Sequence, residues 1–147
     1  MIELKNVTKV YKGDTYETYA LKNLSLNIED GEFVAIMGRS GSGKTTLLNI
    51  IGCMDSASQG TVIIDDIDIS NASAHKLDVV RRNKISFIFQ NYALMQQYSV
   101  YENIEVPLNA RNIKGQKKRA AIKDIMNKLG ISELAKKYPN QISGGEQ

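Results

Sequence analysis

The sequence predicts an α/β fold: an antiparallel β portion leads into a strand, a glycine-rich loop and a helix, and a helical subdomain follows. Three observations carry this. Apolar and polar residues alternate through much of the first third. Gly38, Gly41 and Gly43 then separate an apolar run from a helical pattern. Beyond Gln90 the apolar residues recur at helical spacing.

Taken in order, residues 2–11 read as a strand, and Leu24, Leu26 and Ile28 alternate in a second. The Asp30-Gly31 turn leads to a third over residues 33–37, Phe-Val-Ala-Ile-Met, whose unbroken apolar run predicts burial. Residues 44–51 read as a helix with Leu47, Leu48 and Ile51 at helical spacing, and Gly52 suits its end. Residues 61–64 and 67–69 form a short antiparallel pair around Asp65-Asp66, followed by a helix near 74–82 and a strand at 85–89. Ser99-Val100-Tyr101-Glu102 fits a capping box, with Val100, Ile104 and Leu108 on one face of the helix it starts. Residues 117–129 bring Ile122, Ile125, Met126 and Leu129 to one face, with Gly130 as the stop. The change of character places a boundary at Gln90. Residues 1–89 hold the β subdomain and the glycine loop, and residues 90–147 the helical subdomain.

Composition sets outer bounds. A chain of 147 residues is one domain, or one domain with a small subdomain. With 42% hydrophobic and 24% charged residues it is ordinary globular usage, not a fibre or a disordered chain. A single cysteine, Cys53, excludes a disulfide framework and a Cys-rich zinc site, and reads as a small buried hydrophobe. No apolar run approaches the roughly 18 residues a membrane-spanning helix needs, and the first residues lack a secretory pattern. A cytoplasmic location is the expectation.

The net charge of +3 is unevenly spread. Residues 111–137 carry nine basic residues against two acidic ones, leaving ten basic and 14 acidic elsewhere. Such a patch can meet nucleic acid or an anionic surface. No aromatics interleave these charges, so a solvated helix face is expected and a nucleic-acid partner is not.

Gly38-Arg39-Ser40-Gly41-Ser42-Gly43-Lys44-Thr45 is a complete phosphate-binding loop between an expected strand and an expected helix. Its glycines let successive backbone N–H groups face phosphate oxygens, and the helix N-terminus adds favourable dipole charge. Lys44 should reach the β- and γ-phosphates, the Thr45 hydroxyl should ligate Mg²⁺, and Thr46 is expected among the nucleotide-binding residues with them. Nucleotide binding follows from this loop alone.

The chain also resembles the ATP-binding subunits of ATP-binding cassette transporters. Ile142-Ser143-Gly144-Gly145-Glu146-Gln147 looks like that family's Leu-Ser-Gly-Gly-Gln signature, and Gln90 stands where the family has its Q-loop glutamine. The lead-in Ala20-Leu21-Lys22-Asn23-Leu24-Ser25-Leu26 and the later Val100-Tyr101-Glu102-Asn103-Ile104 with Pro107-Leu108 are similar too. The details lean toward the lipoprotein-release, macrolide and antimicrobial-peptide exporters. The resemblance implies a P-loop NTPase (RecA-like) core with an N-terminal antiparallel β portion and an inserted α-helical subdomain.

It also implies roles. Tyr11 matches the aromatic that stacks on adenine, with Tyr16 or Tyr19 as alternatives and a plain strand tyrosine as another reading. Gln90 would contact Mg²⁺ and the attacking water and sense a membrane partner. Ser143, Gly144 and Gly145 would close over the γ-phosphate held by an opposite subunit, so that function needs a homodimer or a second ATP-binding subunit, and a transmembrane permease. The cofactors implied are ATP and Mg²⁺. Residues 61–66 imitate the family's metal-binding acid strand, but that strand follows the signature, so this stretch is expected to be a hairpin, with Asp66 where a glycine is common. His75, the single histidine, falls on an expected surface helix and is no candidate for the family's switch histidine.

The family's Mg²⁺-binding aspartate, catalytic glutamate and switch histidine come after the signature, where this chain ends at Gln147. The expectation is therefore a truncated subunit whose complete form hydrolyses ATP to drive transport, outward in direction by its resemblance to exporters, while the chain by itself binds ATP·Mg²⁺ without turnover. A soluble family member acting on nucleic acid or ribosomes is the remaining alternative. Residues 33–37 would leave an apolar strand with an open edge, expected to be covered by self-association, a swapped element or a second polypeptide.

Overall fold

The computed structural model describes all 147 residues, whose backbone contacts fall into two compact units, Met1–Ser86 and Phe87–Gln147. The first is built on an antiparallel sheet of β1 (Ile2–Lys12), β2 (Glu17–Ile28), β3 (Gln59–Ile64) and β4 (Ile67–Asp68), in the order β2-β1-β3-β4. Helices α1 (Lys44–Ile51) and α2 (Ala74–Lys84) complete it. The expected hairpin at Asp65-Asp66 forms: both residues have positive φ, 46° and 62°, which matches the mirror-image turn that suits strand twist. Aspartate tolerates that region, so the glycine is dispensable.

The β1–β2 ribbon begins with Ile2 opposite Ile28 and ends with Tyr11 opposite Thr18 and Lys12 opposite Glu17, with irregularities between Leu4 and Val10. Asn6 and Asn23 take positive φ at these irregularities. The Asn23 N–H donates to Thr8 Oγ1 at 3.1 Å, so the break in the ladder leaves no orphaned donor there. The core beneath the sheet joins Leu4, Val7, Val62 and Ile64 to Leu47 and Ile50 of α1, Val80 of α2, and Cys53. Cys53 is buried, as its reading as a small hydrophobe requires, and burial pushes its thiol up in pKa.

Two expected strands are absent. Residues 33–37 are neither helix nor strand, and the sheet has no member drawn from them. Phe33 is 100% exposed and Met37 88%; only Ile36 packs against the core. Residues 85–89 likewise join no ladder, and Ile88 is fully exposed. An apolar run encodes a preference for burial, but a strand also needs a neighbouring backbone to complete its hydrogen bonds. No other segment of this chain pairs with either in a ladder.

In the second unit, α3 (Val100–Ala110) and α4 (Gly115–Leu129) close a small core of Val100, Ile122, Met126 and Leu134. The capping box is present: the Ser99 hydroxyl accepts from the Glu102 N–H, and the Glu102 carboxylate accepts from the Ser99 N–H at 2.7 Å. Gly130 ends α4 at φ 69°, the left-handed stop that glycine favours. Lys118 pairs with Glu105 at 2.5 Å and donates to Asn109 Oδ1 at 2.9 Å, tying α4 to α3. Ile125 and Leu129 do not share the burial of Ile122 and Met126; they line an apolar depression of about 280 Å³ with Val100, Ile104 and Ile142. No helix is long and apolar enough to cross a membrane.

Candidate functional site

The glycine loop runs from Gly38 into the first turn of α1. Gly43 caps the helix at φ 90°, and its backbone lies so close to β2 that a Cβ there would stand 2.4 Å from the Ala20 carbonyl oxygen. Glycine is required here both for the turn and for the approach. At Gly38 a Cβ would stand 2.6 Å from Ser42 Oγ, a side-chain atom that can rotate away, whereas Gly41 at φ 78° faces open space. Within the loop Ser42 N–H donates to the Arg39 carbonyl at 3.2 Å, and Leu47 N–H donates to the Gly43 carbonyl at 2.9 Å.

No protein acceptor meets the N–H groups of Gly43, Lys44, Thr45 and Thr46. Four free donors at a helix start make an anion seat, strengthened by the helix dipole. Lys44 reaches back across the loop, its ammonium donating to the Gly38 and Arg39 carbonyls at 2.8 Å each. Residues Ser40, Gly41, Ser42, Gly43, Lys44, Thr45 and Thr46 line an open depression of about 290 Å³, bounded on β2 by Thr18, Tyr19 and Ala20. Bare amide donors, a lysine ammonium and the Thr45 hydroxyl converge there. This set fits a polyphosphate with a hard cation, whose preferred ligands are oxygens.

Of the three tyrosines expected as candidates for a base contact, Tyr19 borders the depression itself. Tyr11 is not among the residues that line it, but lies directly across the ladder from Thr18, which is. Its hydroxyl donates to Asp55 Oδ2 at 2.8 Å, and the Lys9 ammonium stands 4.9 Å from its ring centroid. Tyr16 folds over Gly13 at the hairpin end. Asp55 and Lys9 carry no motif, and Asp55 is 44 residues from Tyr11, so nothing in the sequence pattern could have brought them forward.

Gln90 is exposed in the second unit, followed by Tyr92 and Ala93 at φ 62° and 54°. Two adjacent non-glycine residues in the left-handed region mark stored backbone strain. The stretch beyond is held by Asn103: its amide Nδ2 donates to the carbonyls of Met95, Tyr98 and Ser99, and its Oδ1 accepts from Met95 N–H. Ser143, Gly144 and Gly145 are exposed, with the Tyr92 hydroxyl 3.1 Å from where a Gly144 Cβ would lie. Both the N–H and the hydroxyl of Ser143 donate to Glu146 at 2.7 Å. These bonds, the side-chain one first, hold the Glu146 carboxyl below the usual range. His75 is exposed on α2.

A family model described as ABC transporter matches residues 21–147. The chain is 46% identical over 154 aligned residues to the uncharacterised ABC transporter ATP-binding protein MJ0796 of Methanocaldococcus jannaschii, covering all of this chain and 64% of that protein. It is 37% identical to the uncharacterised ABC transporter ATP-binding protein YvrO of Bacillus subtilis, again spanning 64% of the relative. It is 39% identical to the macrolide export ATP-binding/permease protein MacB of Shigella flexneri, spanning 23% of it. Among solved structures, the dimeric post-hydrolysis state of the MJ0796 cassette bound to ADP and Pi superposes with a TM-score of 0.88 at 43% identity, covering 99% of this chain and 65% of that one.

Proposed function

The chain belongs to the ABC transporter family, and on that premise we propose that it binds ATP·Mg²⁺ through residues 38–46 as the nucleotide-binding part of a transporter ATPase. The observation that carries this reading is the loop itself: four unpaired N–H groups at the start of α1, with the Lys44 ammonium against the same loop. The backbone donors and Lys44 would hold the β- and γ-phosphates, and Thr45 Oγ1 would ligate Mg²⁺, which neutralises phosphate charge when bound. Tyr11 would carry the adenine. Gln90 would take part in metal binding and water positioning, and Ser143, Gly144 and Gly145 would close on a nucleotide held by a second ATP-binding subunit. ATP hydrolysis, a dimer with composite sites, a peripheral place on the cytoplasmic face of the membrane through a transmembrane permease, and outward transport all belong to the same proposal. The dimeric state of MJ0796 and the export and permease functions in the name of MacB support those parts by analogy.

The test is an equilibrium titration of the protein with ATP·Mg²⁺ beside Lys44→Ala, with phosphate release followed in the same samples. Removing a charged donor to phosphate is expected to weaken binding by at least about tenfold. Equal affinity of the two proteins would overturn the reading.

A further inference from the structure

Asp55 lies outside every motif, yet it gathers the side chain expected to meet the base. Its Oδ1 accepts from the Lys9 ammonium at 2.5 Å and its Oδ2 from the Tyr11 hydroxyl at 2.8 Å. Lys9 also donates to the Ser56 carbonyl at 2.7 Å while standing over the Tyr11 ring. This is not a loose surface pair: the Lys9 side chain is 12% exposed and that of Asp55 28%. Asp55 is in turn fixed to the end of α1. The N–H groups of Met54 and Asp55 both donate to the Asn49 carbonyl, and Arg81 Nη1 donates to the Cys53 carbonyl at 2.7 Å. The helix whose first turn carries the free phosphate donors thus carries, just past its other end, the carboxylate that anchors Tyr11.

We propose that Asp55 is a positioning residue of the nucleotide site, holding the Tyr11 ring, which stands across the ladder from the Thr18 that borders the phosphate-loop depression, as a pre-set platform for the base; this rests on the nucleotide-binding reading above. A tyrosine tied at its hydroxyl and backed by Lys9 loses little further freedom when a purine stacks on it. Pre-organisation of that kind improves affinity by lowering the ordering cost. The effect falls on the base and not on the phosphates, which separates it from a purely structural clamp between β1 and the end of α1.

The experiment compares ATP·Mg²⁺ with inorganic tripolyphosphate and Mg²⁺, binding to the wild type, Asp55→Ala, Asp55→Asn, Tyr11→Phe and the Asp55→Ala/Tyr11→Phe double variant. Asp55→Ala is expected to weaken ATP about threefold to tenfold while leaving tripolyphosphate within about twofold. Retained tripolyphosphate binding also shows that the variant is folded. Asp55→Asn, whose amide oxygen still accepts from the phenol, should recover most of the loss. Tyr11→Phe, which removes only the phenol–carboxylate bond, should account for most of the ATP loss of Asp55→Ala, which also frees Lys9, and adding Tyr11→Phe to Asp55→Ala should cost ATP little more, because the bond it removes is already gone. Equal weakening of both ligands, no change in either, or full additivity in the double variant would overturn the proposal. Two further variants locate a failure. If Tyr11→Ala binds ATP as the wild type does while Lys44→Ala loses both ligands, the platform is wrong and the loop stands. If Lys44→Ala keeps both, the nucleotide reading falls with it.

Discussion

One added methyl group divides the glycines of the phosphate loop into two kinds. At Gly41 a Cβ meets nothing, so Gly41→Ala pays only for its left-handed backbone, about 1–2 kcal/mol. At Gly43 the same backbone cost is joined by a collision with the Ala20 carbonyl and by contact with Leu21 at 3.0 Å, and overpacking adds about 1–3 kcal/mol more. Thermal unfolding should therefore rank Gly43→Ala well below Gly41→Ala, and equal melting temperatures would show that the loop does not rest on β2. The phosphate-loop pattern fixes Gly43 and leaves position 41 open, without giving the physical reason. That reason lies at Ala20, 23 residues earlier in the chain, and becomes visible only in the fold.

Helix α3 shows how far local rules reach. Its start is set by Ser99 and Glu102, a pairing legible from four letters, and the bonds form as read. The N–H of Ser99 and then its hydroxyl donate to the Glu102 carboxylate and hold it below its ordinary pKa. A carboxyl with a lowered folded pKa stabilises fully above the unfolded value near 4.5, and that contribution is lost as pH falls through the lower folded value. Ser99→Ala should accordingly cost about 1 kcal/mol at neutral pH in urea unfolding, and the cost should shrink as acid protonates Glu102 below its unfolded value. A cost independent of pH would contradict the reciprocal cap. The hairpin at Asp65-Asp66 and the stop at Gly130 were equally readable, because each depends on residues within one turn. Residues 33–37 and 85–89 were not. Their letters state what the backbone would prefer, whereas a ladder depends on another stretch of chain. Asp55 escaped for the same reason: its partners Lys9 and Tyr11 are joined to it only by the fold.

At the scale of the whole molecule, protection from solvent is unevenly shared. No backbone hydrogen bond secures the amides of residues 33–37, whereas those of β1 lie between two partner strands. Hydrogen exchange should find the amides of residues 33–37 fast and those of Leu4 and its neighbours in β1 slow; slow exchange at 33–37 in the isolated chain would mean that something covers them. The division into two units has a thermodynamic corollary. The depression around Lys44, together with the β2 and α1 segments that shape it, lies inside the first unit, over a core with no member from the second. A ligand seated there adds its binding free energy to that unit's resistance to heat, by an amount set by concentration relative to affinity. The portion of a melting curve that moves upward as nucleotide is raised should include residues 1–86, and a shift of residues 87–147 along with it would report the contact proposed for Gln90, so the ligand becomes a label for which half of the chain it holds together.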